Sequence, residues 1–483
     1  MQTNYSENPA GLAMGRRWFL RGALAGTALG FGGCRTLGLG GEEPELRFGV
    51  VSDIHVTTPE SVALFEAALL YFRGRGVDAV MVPGDITDWG TCGSLQLVAD
   101  AWNRVFPKSS DVVPLFCTGN HDYEGWLYGD MTMEMHANGV SEDDALVKHD
   151  LKTCWEQIFG EPWAPVRART VKGYTFVSGE WQGYRQLGDW LKENGPALRG
   201  EKPFFYFQHP PLKGTTSDSF GWADGGAGFA ALKDYPNAIA FSGHAHHTFN
   251  DELSIWQGAF TAVATPSLSY MGVPGDCENG SGKRDGSCTK AMPPVMARRD
   301  LRGGQGYVVN VYRDRVEIER RDLEEGGAEG APAWVVPLPC GEKRPYDPEA
   351  RAQAASAPEF PFAAKLETYT RNTETRQGKW AIAMTLKFPS AVPPRGQRVR
   401  DYEVRVEPLD GGEPLVKRFV SPAFHKLARF EPAVQEFWFN VAELPQDRDY
   451  VMKVFPRSWY GTCGRPLVSR TWHGKPGLDK AKR

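Results

Sequence analysis

No Cys-x-x-Cys pair occurs among the eight cysteines, which argues against a ribbon-type structural zinc site. Neither sign of charge dominates: 59 acidic against 55 basic residues leave a formal net charge of -4. A chain without a strong field of either sign has no general electrostatic grip on nucleic acid or on a charged membrane surface, so no nucleic-acid patch is expected. Long apolar runs are missing too. The one concentrated apolar stretch, residues 22–33, is too short to span a bilayer as a mature helix. With 41% apolar, 24% charged and 12% aromatic residues, the composition fits neither a disordered nor a fibrous chain. At 483 residues the chain exceeds the usual size of one domain, so two folded units behind a leader are expected.

The leader is read at residues 1–40, where Gly15-Arg16-Arg17-Trp18-Phe19-Leu20-Arg21 precedes the short apolar stretch. The Arg-Arg-x-Phe-Leu-Arg pattern resembles the twin-arginine export signal, which carries folded proteins out of the bacterial cytoplasm. Phe31-Gly32-Gly33-Cys34 has the form of a lipobox, which would make Cys34 a lipid anchor. The expected location is therefore periplasmic, extracellular or membrane-anchored as a lipoprotein. In such an oxidising place Cys277 and Cys288, in a Gly-rich charged loop, are the expected disulfide.

From residue 46 onward, apolar strand-like runs alternate with amphipathic stretches, the pattern of an α/β unit. Strands are expected at 46–52, 77–83, 112–118, 204–208 and 239–242, each ending directly before a polar cluster. Val62, Phe65, Ala68, Leu69 and Phe72 fall at helical spacing behind Pro59, which predicts a helix over 59–72. Residues 307–312 and 315–320 read as a closing hairpin, giving an α/β unit over 44–325. A Gly- and Pro-rich segment, 326–360, is expected to be a linker. Beyond it Trp380, Ile382, Met384, Leu386 and Phe388 alternate with Ala381, Ala383, Thr385 and Lys387, the period of a half-buried strand. With further strands at 402–406, 436–441 and 450–455, and Leu444-Pro445 before Tyr450 resembling a tyrosine corner, residues 361–475 are expected to form a small β-sandwich of fibronectin or immunoglobulin type.

Five segments stand in order at the predicted strand ends: Asp53-Ile54-His55, Gly84-Asp85-Ile86-Thr87-Asp88, Gly119-Asn120-His121-Asp122, Gln208-His209-Pro210 and Gly243-His244-Ala245-His246. One Asp-x-His alone would mark nothing more than a turn. Together they supply imidazoles, carboxylates and one amide oxygen, a donor mixture suited to Fe, Mn or Zn rather than to Ca or Mg alone. Strand ends of an open α/β sheet gather such residues in one cleft. Two ions about 3.5 to 4 Å apart could clamp a phosphoryl group and acidify a water between them.

These segments resemble, in order, the signature of calcineurin-like metallophosphoesterases, a four-layer α-β-β-α sandwich family, over residues 46–320. The resemblance implies one metal on Asp53, His55, Asp85 and His246 and a second on Asp85, Asn120, His209 and His244, with Asp85 as bridge. It implies that His121 gives a proton to the leaving group and that Asp88 orients His121. Purple acid phosphatases would need a Tyr after the Gly-Asp segment and lack the first His, whereas this chain has Asp88 and His55. Protein Ser/Thr phosphatases would show Asp-Arg-Gly and an Arg before Gly-Asn-His, whereas this chain has Asp88-Trp89-Gly90 and Thr118. The pattern is most similar to class III cyclic-nucleotide phosphodiesterases. The implied activity is hydrolysis of a phosphate ester, in the first place a phosphodiester, by a hydroxide activated at a binuclear centre.

Other substrates consistent with the leader are phosphomonoesters and the phospholipid or polymer diesters of the cell envelope. A reading from another class makes the chain a surface-anchored binding protein with an inert phosphoesterase unit, against which the complete ligand set argues. Trp89 and Trp222 could line a cleft by stacking but read more simply as packing residues. His247 reads as a neighbour of the ligands, and His425 and His473 have no ligand partners at useful spacing.

Overall fold

The computed structural model describes residues 42–124, 151–181, 183–216, 223–274, 277, 295–374, 380–395, 397–425 and 427–475. The first strands of the chain are β1 (Leu46–Val50), β2 (Ala79–Pro83) and β3 (Val113–Cys117). A second sheet is then laid down by β4 (Val166–Val171), β5 (Tyr174–Gly179), β6 (Phe204–Gln208), β7 (Ala238–His247), β8 (Ile255–Gln257) and β9 (Thr261–Pro266). A hairpin follows, β10 (Tyr270–Pro274) with β11 (Val295–Arg302). The chain then returns to the first sheet as β12 (Gln305–Val311), β13 (Arg315–Asp322), β14 (Ala328–Glu329) and β15 (Trp334–Pro337).

The first sheet has the order β14-β13-β12-β1-β2-β3, with β15 beside β13, and the second β4-β5-β6-β7-β9-β8. Each has a parallel centre, β1-β2-β3 in one and β5-β6-β7-β9 in the other. Parallel strands need both faces covered, and the sequence supplies apolar residues on both. On the inner faces Phe48 meets Phe176, Phe205 and Phe241 with ring centroids between 4.9 and 6.1 Å apart, so one aromatic core lies between the sheets. The outer face of the first sheet is covered by α1 (Pro59–Gly74), α2 (Cys92–Val105) and the helix Leu151–Phe159. Helices Leu187–Asn194 and Ala227–Leu232 cover the outer face of the second. The result is the expected α-β-β-α layering. In α1 the five apolar residues picked out by spacing are all buried, Thr58 caps Ser61 N–H, and Pro59 sits in the first turn where its missing donor costs nothing.

The C-terminal region consists of antiparallel sheets. Its strands are β16 (Glu367–Glu374), β17 (Trp380–Pro389), β18 (Asp401–Pro408), β19 (Leu415–Val420), β20 (Val434–Asn440) and β21 (Asp449–Arg457), with short edge pieces at Leu467–Val468 and Trp472–His473. Sheets β16-β17-β20 and β19-β18-β21 sandwich Met384, Leu386, Phe388, Val404, Phe437 and Met452. The hydrogen bond of a tyrosine corner is present: Tyr450 Oη donates to Pro445 O at 2.7 Å. The whole of Pro44–Arg483 forms one compact unit.

One expectation needs correcting. The segment 326–360 is not a free linker, because β14 and β15 pair with β13 and the helix Pro348–Ala354 is capped by Asp347. Trp334 and Val336 alternate with exposed Val335 and are buried in the inter-sheet core, a period-two signal masked by the surrounding prolines. The fully buried Arg320 of β13 fixes the segment further, donating to Pro332 O at 2.9 Å, pairing with Glu252 at 2.7 Å and lying 4.4 Å from the Trp334 ring. The disulfide found among the described residues joins Cys92, at the start of α2, to Cys154, with Cα atoms 5.2 Å apart. Those cysteines are 62 residues apart, and only the packing of two helices on one sheet face makes them neighbours. Cys277 is buried, and Cys288 lies outside the described residues. So do Trp222 and the leader with Arg16, Arg17 and Cys34. No helix among the described residues is long and apolar enough to cross a membrane.

Candidate metal centre

The carboxyl ends of β1, β2, β3 and β6, together with the end of β7, converge on one edge of the two sheets. Beyond them the backbone turns sharply. Asp53, His55, Asp85, His244 and His246 all have left-handed φ values, between 48° and 71°. Such a conformation costs of order 1 kcal/mol or more for each residue with a side chain, so it persists only where neighbours enforce it. Here the loops hold one another. Asp53 N–H donates to Gly84 O, Ile54 and His55 N–H to Asp85 O, Gly243 N–H to His209 O, and His244 N–H to the Asp53 carboxylate at 3.0 Å. Asp122 ties two of the loops by accepting from Ile86 N, Thr87 N, Thr87 Oγ1 and Gly119 N at 2.7–3.0 Å. Two glycines are required by close approach. A Cβ at Gly119 would stand 2.2 Å from Asp85 Oδ1, and one at Gly243 2.0 Å from Ser52 Oγ and 2.9 Å from Asp53 Oδ2.

This scaffold brings the expected donors together in two groups. Donor atoms of Asp53, His55, Asp85 and His246 lie within 4.8 Å of one another, and so do those of Asp85, His209 and His244. Asp85 belongs to both. Its Oδ2 stands 3.0 Å from His209 Nε2 and 3.7 Å from His55 Nε2, facing a donor of each group. The other ring nitrogen of most of these imidazoles is occupied elsewhere: His55 Nδ1 faces Asp88 Oδ1 at 2.6 Å, His209 Nδ1 donates to Pro83 O at 2.9 Å, and His246 Nδ1 donates to Tyr270 O at 2.7 Å. That leaves Nε2 of each as the inward donor, the tautomer control usual for metal-binding histidines. Asn120 Oδ1 is buried without a hydrogen-bond donor among the described residues, an acceptor that a cation would satisfy. The residues present therefore fit metal ions of the Fe, Mn or Zn kind.

The electrostatics fit as well. Burial would raise Asp85, but the charge and hydrogen bond of His209 hold its carboxyl well below the usual range. Burial works to lower His209, and the Asp85 charge more than reverses it, to about 9. Burial, with the neighbouring His209, takes His244 down to about 3, and burial, with His55, takes His246 well below the ordinary imidazole value. His244 and His246 thus stay unprotonated, while the Asp85 carboxylate favours the protonated form of His209.

His121 and Asp88 lie beside each other, and Asp88 also faces His55. The carboxylate of Asp88 bonds to His55, and its Oδ1 is 3.6 Å from His121 Nδ1. His121 Nδ1 also faces the Asp88 backbone carbonyl at 3.4 Å, and its ring meets His55 edge-on at 4.7 Å. His247 lies 3.2 Å from Asp251, and His473 pairs with Asp449 at 2.8 Å. Trp89 is half-buried.

Sequence reasoning missed four residues that border the centre. Trp181 follows β5 and stands 6.0 and 6.1 Å from the rings of His209 and His244. Tyr270 opens β10 and stacks on His246 at 4.1 Å. Ser267 and Ser269, past the end of β9, direct their hydroxyls to Asp53 O. All four lie close to strand ends, but β5 and β9 are not among the strands that the sequence pattern predicts.

Residues 46–248 match a family model described as Calcineurin-like phosphoesterase. No curated protein matches the sequence. Among solved structures the chain is similar to GAP50, the anchor in the inner membrane complex of Plasmodium, at 10% identity over 62% of this chain and 90% of that one, with a TM-score of 0.35. It is similar to the purple acid phosphatase PPD1 from yellow lupin (Lupinus luteus) seeds, at 11% identity over 60% of this chain and 53% of that one, with a TM-score of 0.36. It is also similar to Vacuolar Protein Sorting 29 from Cryptosporidium parvum, at 11% identity, 60% and 96% coverage and a TM-score of 0.26. The segment that holds every donor of both groups, residues 46–248, is a calcineurin-like phosphoesterase domain.

Proposed function

We propose that the chain is an exported binuclear metallophosphoesterase that hydrolyses a phosphodiester. The observation that carries this reading is the position of Asp85, common to both donor groups. Asp53, His55, Asp85 and His246 would hold one ion and Asp85, Asn120, His209 and His244 the other. When bound, two such ions would acidify a water between them and offset charge on the phosphoryl oxygens. The chain's own part is to fix the donors, keep the imidazoles in the right tautomer and deliver a proton. His121 would protonate the departing oxygen, a role supported by its position beside His55 and its partial exposure to solvent.

A diester is favoured over a monoester by charge. Among the described residues, the charges acting most strongly on Asp53, His55, Asp85, His209, His244 and His246 are carboxylates and imidazoles of the same site. Thr118, where an Arg would serve a monoester dianion, is buried and donates to Glu180 instead. Export is supported by Arg16-Arg17 and by the Cys92–Cys154 disulfide, since such bonds persist in oxidising compartments. Cys34 would carry a lipid anchor. The ordered segments are most similar to the class III cyclic-nucleotide phosphodiesterase group.

The test is a substrate panel on mature protein reloaded with Mn, Fe or Zn: bis(p-nitrophenyl) phosphate, a cyclic nucleotide and a glycerophosphodiester against p-nitrophenyl phosphate. Higher kcat/KM on the diesters is expected. The reverse order would overturn the diester assignment, and no hydrolysis of any ester by metal-replete protein would overturn the enzyme. Export is tested by replacing Arg16 and Arg17 with lysine, which should retain the precursor in the cytoplasm.

A further inference from the structure

Among the described residues, the C-terminal sandwich meets segments next to the metal centre through its Ser421–His425 turn, with Val420 and Trp459 beside it. This turn lies against both segments that flank His246. Beyond β7, Asn250 Nδ2 donates to Ala423 O at 3.0 Å. Gln305 Nε2 donates to His425 O at 3.3 Å, while its Oε1 accepts from Phe249 N at 2.9 Å. On the hairpin side Val420, Phe424 and Trp459 form one buried apolar cluster with Val273, Cys277 and Leu301, with Phe424 stacked on Trp459 at 5.2 Å. Val273 is three residues along β10 from Tyr270, whose carbonyl accepts from His246 Nδ1 and whose ring stacks on the same imidazole.

His246 is thus followed by one segment that the sandwich touches, at Asn250, and stacked on by another, at Tyr270. It needs such support, because its φ of 50° is a strained conformation for a residue with a side chain. The other donor group is held differently. His209 is fixed by Pro83, and His244 by Asp53 with Trp181 alongside, all within the phosphoesterase domain.

We propose that the Ser421–His425 turn braces one half of the metal centre. Through Asn250 and Tyr270, which are positioning residues, it sets the affinity of the site built from Asp53, His55, Asp85 and His246 and leaves the site of Asn120, His209 and His244 alone. The inference rests on the binuclear reading above. It gives the sandwich a part in loading one metal rather than in gripping substrate.

The experiment uses the full mature chain and Mn2+ or Co2+ alone, titrated calorimetrically well below the unfolding temperature, with near-UV dichroism as the check on folding. Wild-type protein should bind two ions. Phe424→Ala and Asn250→Ala should each keep one site at wild-type affinity and weaken the other by roughly tenfold or more, the scale seen when a partner of a ligand is lost. Tyr270→Ala should weaken the same site, and Tyr270→Phe, which keeps both carbonyl and ring, should restore it. Leu386→Ala, deep in the sandwich core and away from the turn, should lower thermal stability yet leave both affinities unchanged. Equal weakening of both sites by Phe424→Ala, no weakening, or the one-site loss in folded Leu386→Ala would overturn the brace. A wild-type protein that binds a single ion would sink the binuclear reading, and the brace with it, before any variant is compared.

Discussion

Asp88 gives its carboxylate to His55: Oδ1 lies 2.6 Å from His55 Nδ1 and 3.6 Å from His121 Nδ1. A carboxylate behind a ligating imidazole fixes its tautomer and raises its basicity, and losing one commonly costs 10- to 100-fold in metal affinity. Asp88→Asn is therefore expected to weaken the site of Asp53, His55 and His246 by roughly that factor, read by competition with a chelator. Full metal retention with a change confined to catalysis would show that Asp88 serves His121 after all.

His121 should behave in the opposite way. General-acid help matters most when the departing alkoxide is basic, and its loss typically costs ~10² to ~10⁴ in rate. His121→Ala is expected to keep both metals and to lose most activity on alkyl phosphodiesters but much less on p-nitrophenyl esters. Equal losses on both substrate types would remove the acid role, and loss of a metal would make His121 a ligand.

Metal loading should depend on pH through His209. Its imidazole is lifted from 6.5 to about 9 in the metal-free protein, where burial opposes and Asp85 drives the shift. A raised imidazole value means that the proton is held below about 9 and must be displaced by an incoming cation. Apparent affinity should rise with pH from neutrality and level off above about 9, with a proton released from His209 as the cation binds. The same pair contributes stability to the metal-free fold that is fully present below 6.5 and is lost as pH rises through about 9. Calorimetry in two buffers of different ionisation enthalpy counts the proton, and a pH-independent affinity would contradict the assignment.

The Cys92–Cys154 bond closes a span of 62 residues, for which the chain-entropy model gives about 4 kcal/mol. Cys92 also begins α2 four residues beyond Asp88, so the bond steadies the loop that carries this carboxylate. Reduction, or Cys92→Ala with Cys154→Ala, is expected to lower the thermal midpoint by several degrees. An unchanged midpoint would mean that helix packing alone holds the pair together.

What the sequence made legible follows a physical line. The seven donors were readable because each sits directly after an apolar run, where strand period and polar cluster coincide, and α1 was readable because five apolar residues share one helical face behind a proline. Tyr450 and Pro445 were readable because a corner is a local pattern. Trp181 and Tyr270 were not, since their place beside the centre is set by the pairing of β5 with β6 and of β7 with β9, contacts between distant segments. The Cys92–Cys154 bond and the pairing of β15 with β13 were hidden for the same reason, and so was the contact of Asp88 with His55, 33 residues away along the chain.

Two metal sites that share Asp85 are tested most directly by the metal-to-chain ratio, from elemental analysis of mature wild-type protein and of Asp85→Asn. Two ions per chain in the wild type, with both sites falling together in Asp85→Asn, is the predicted result. One ion per chain in active wild-type protein, or an Asp85→Asn protein that loses one ion and holds the other at full affinity, would contradict it.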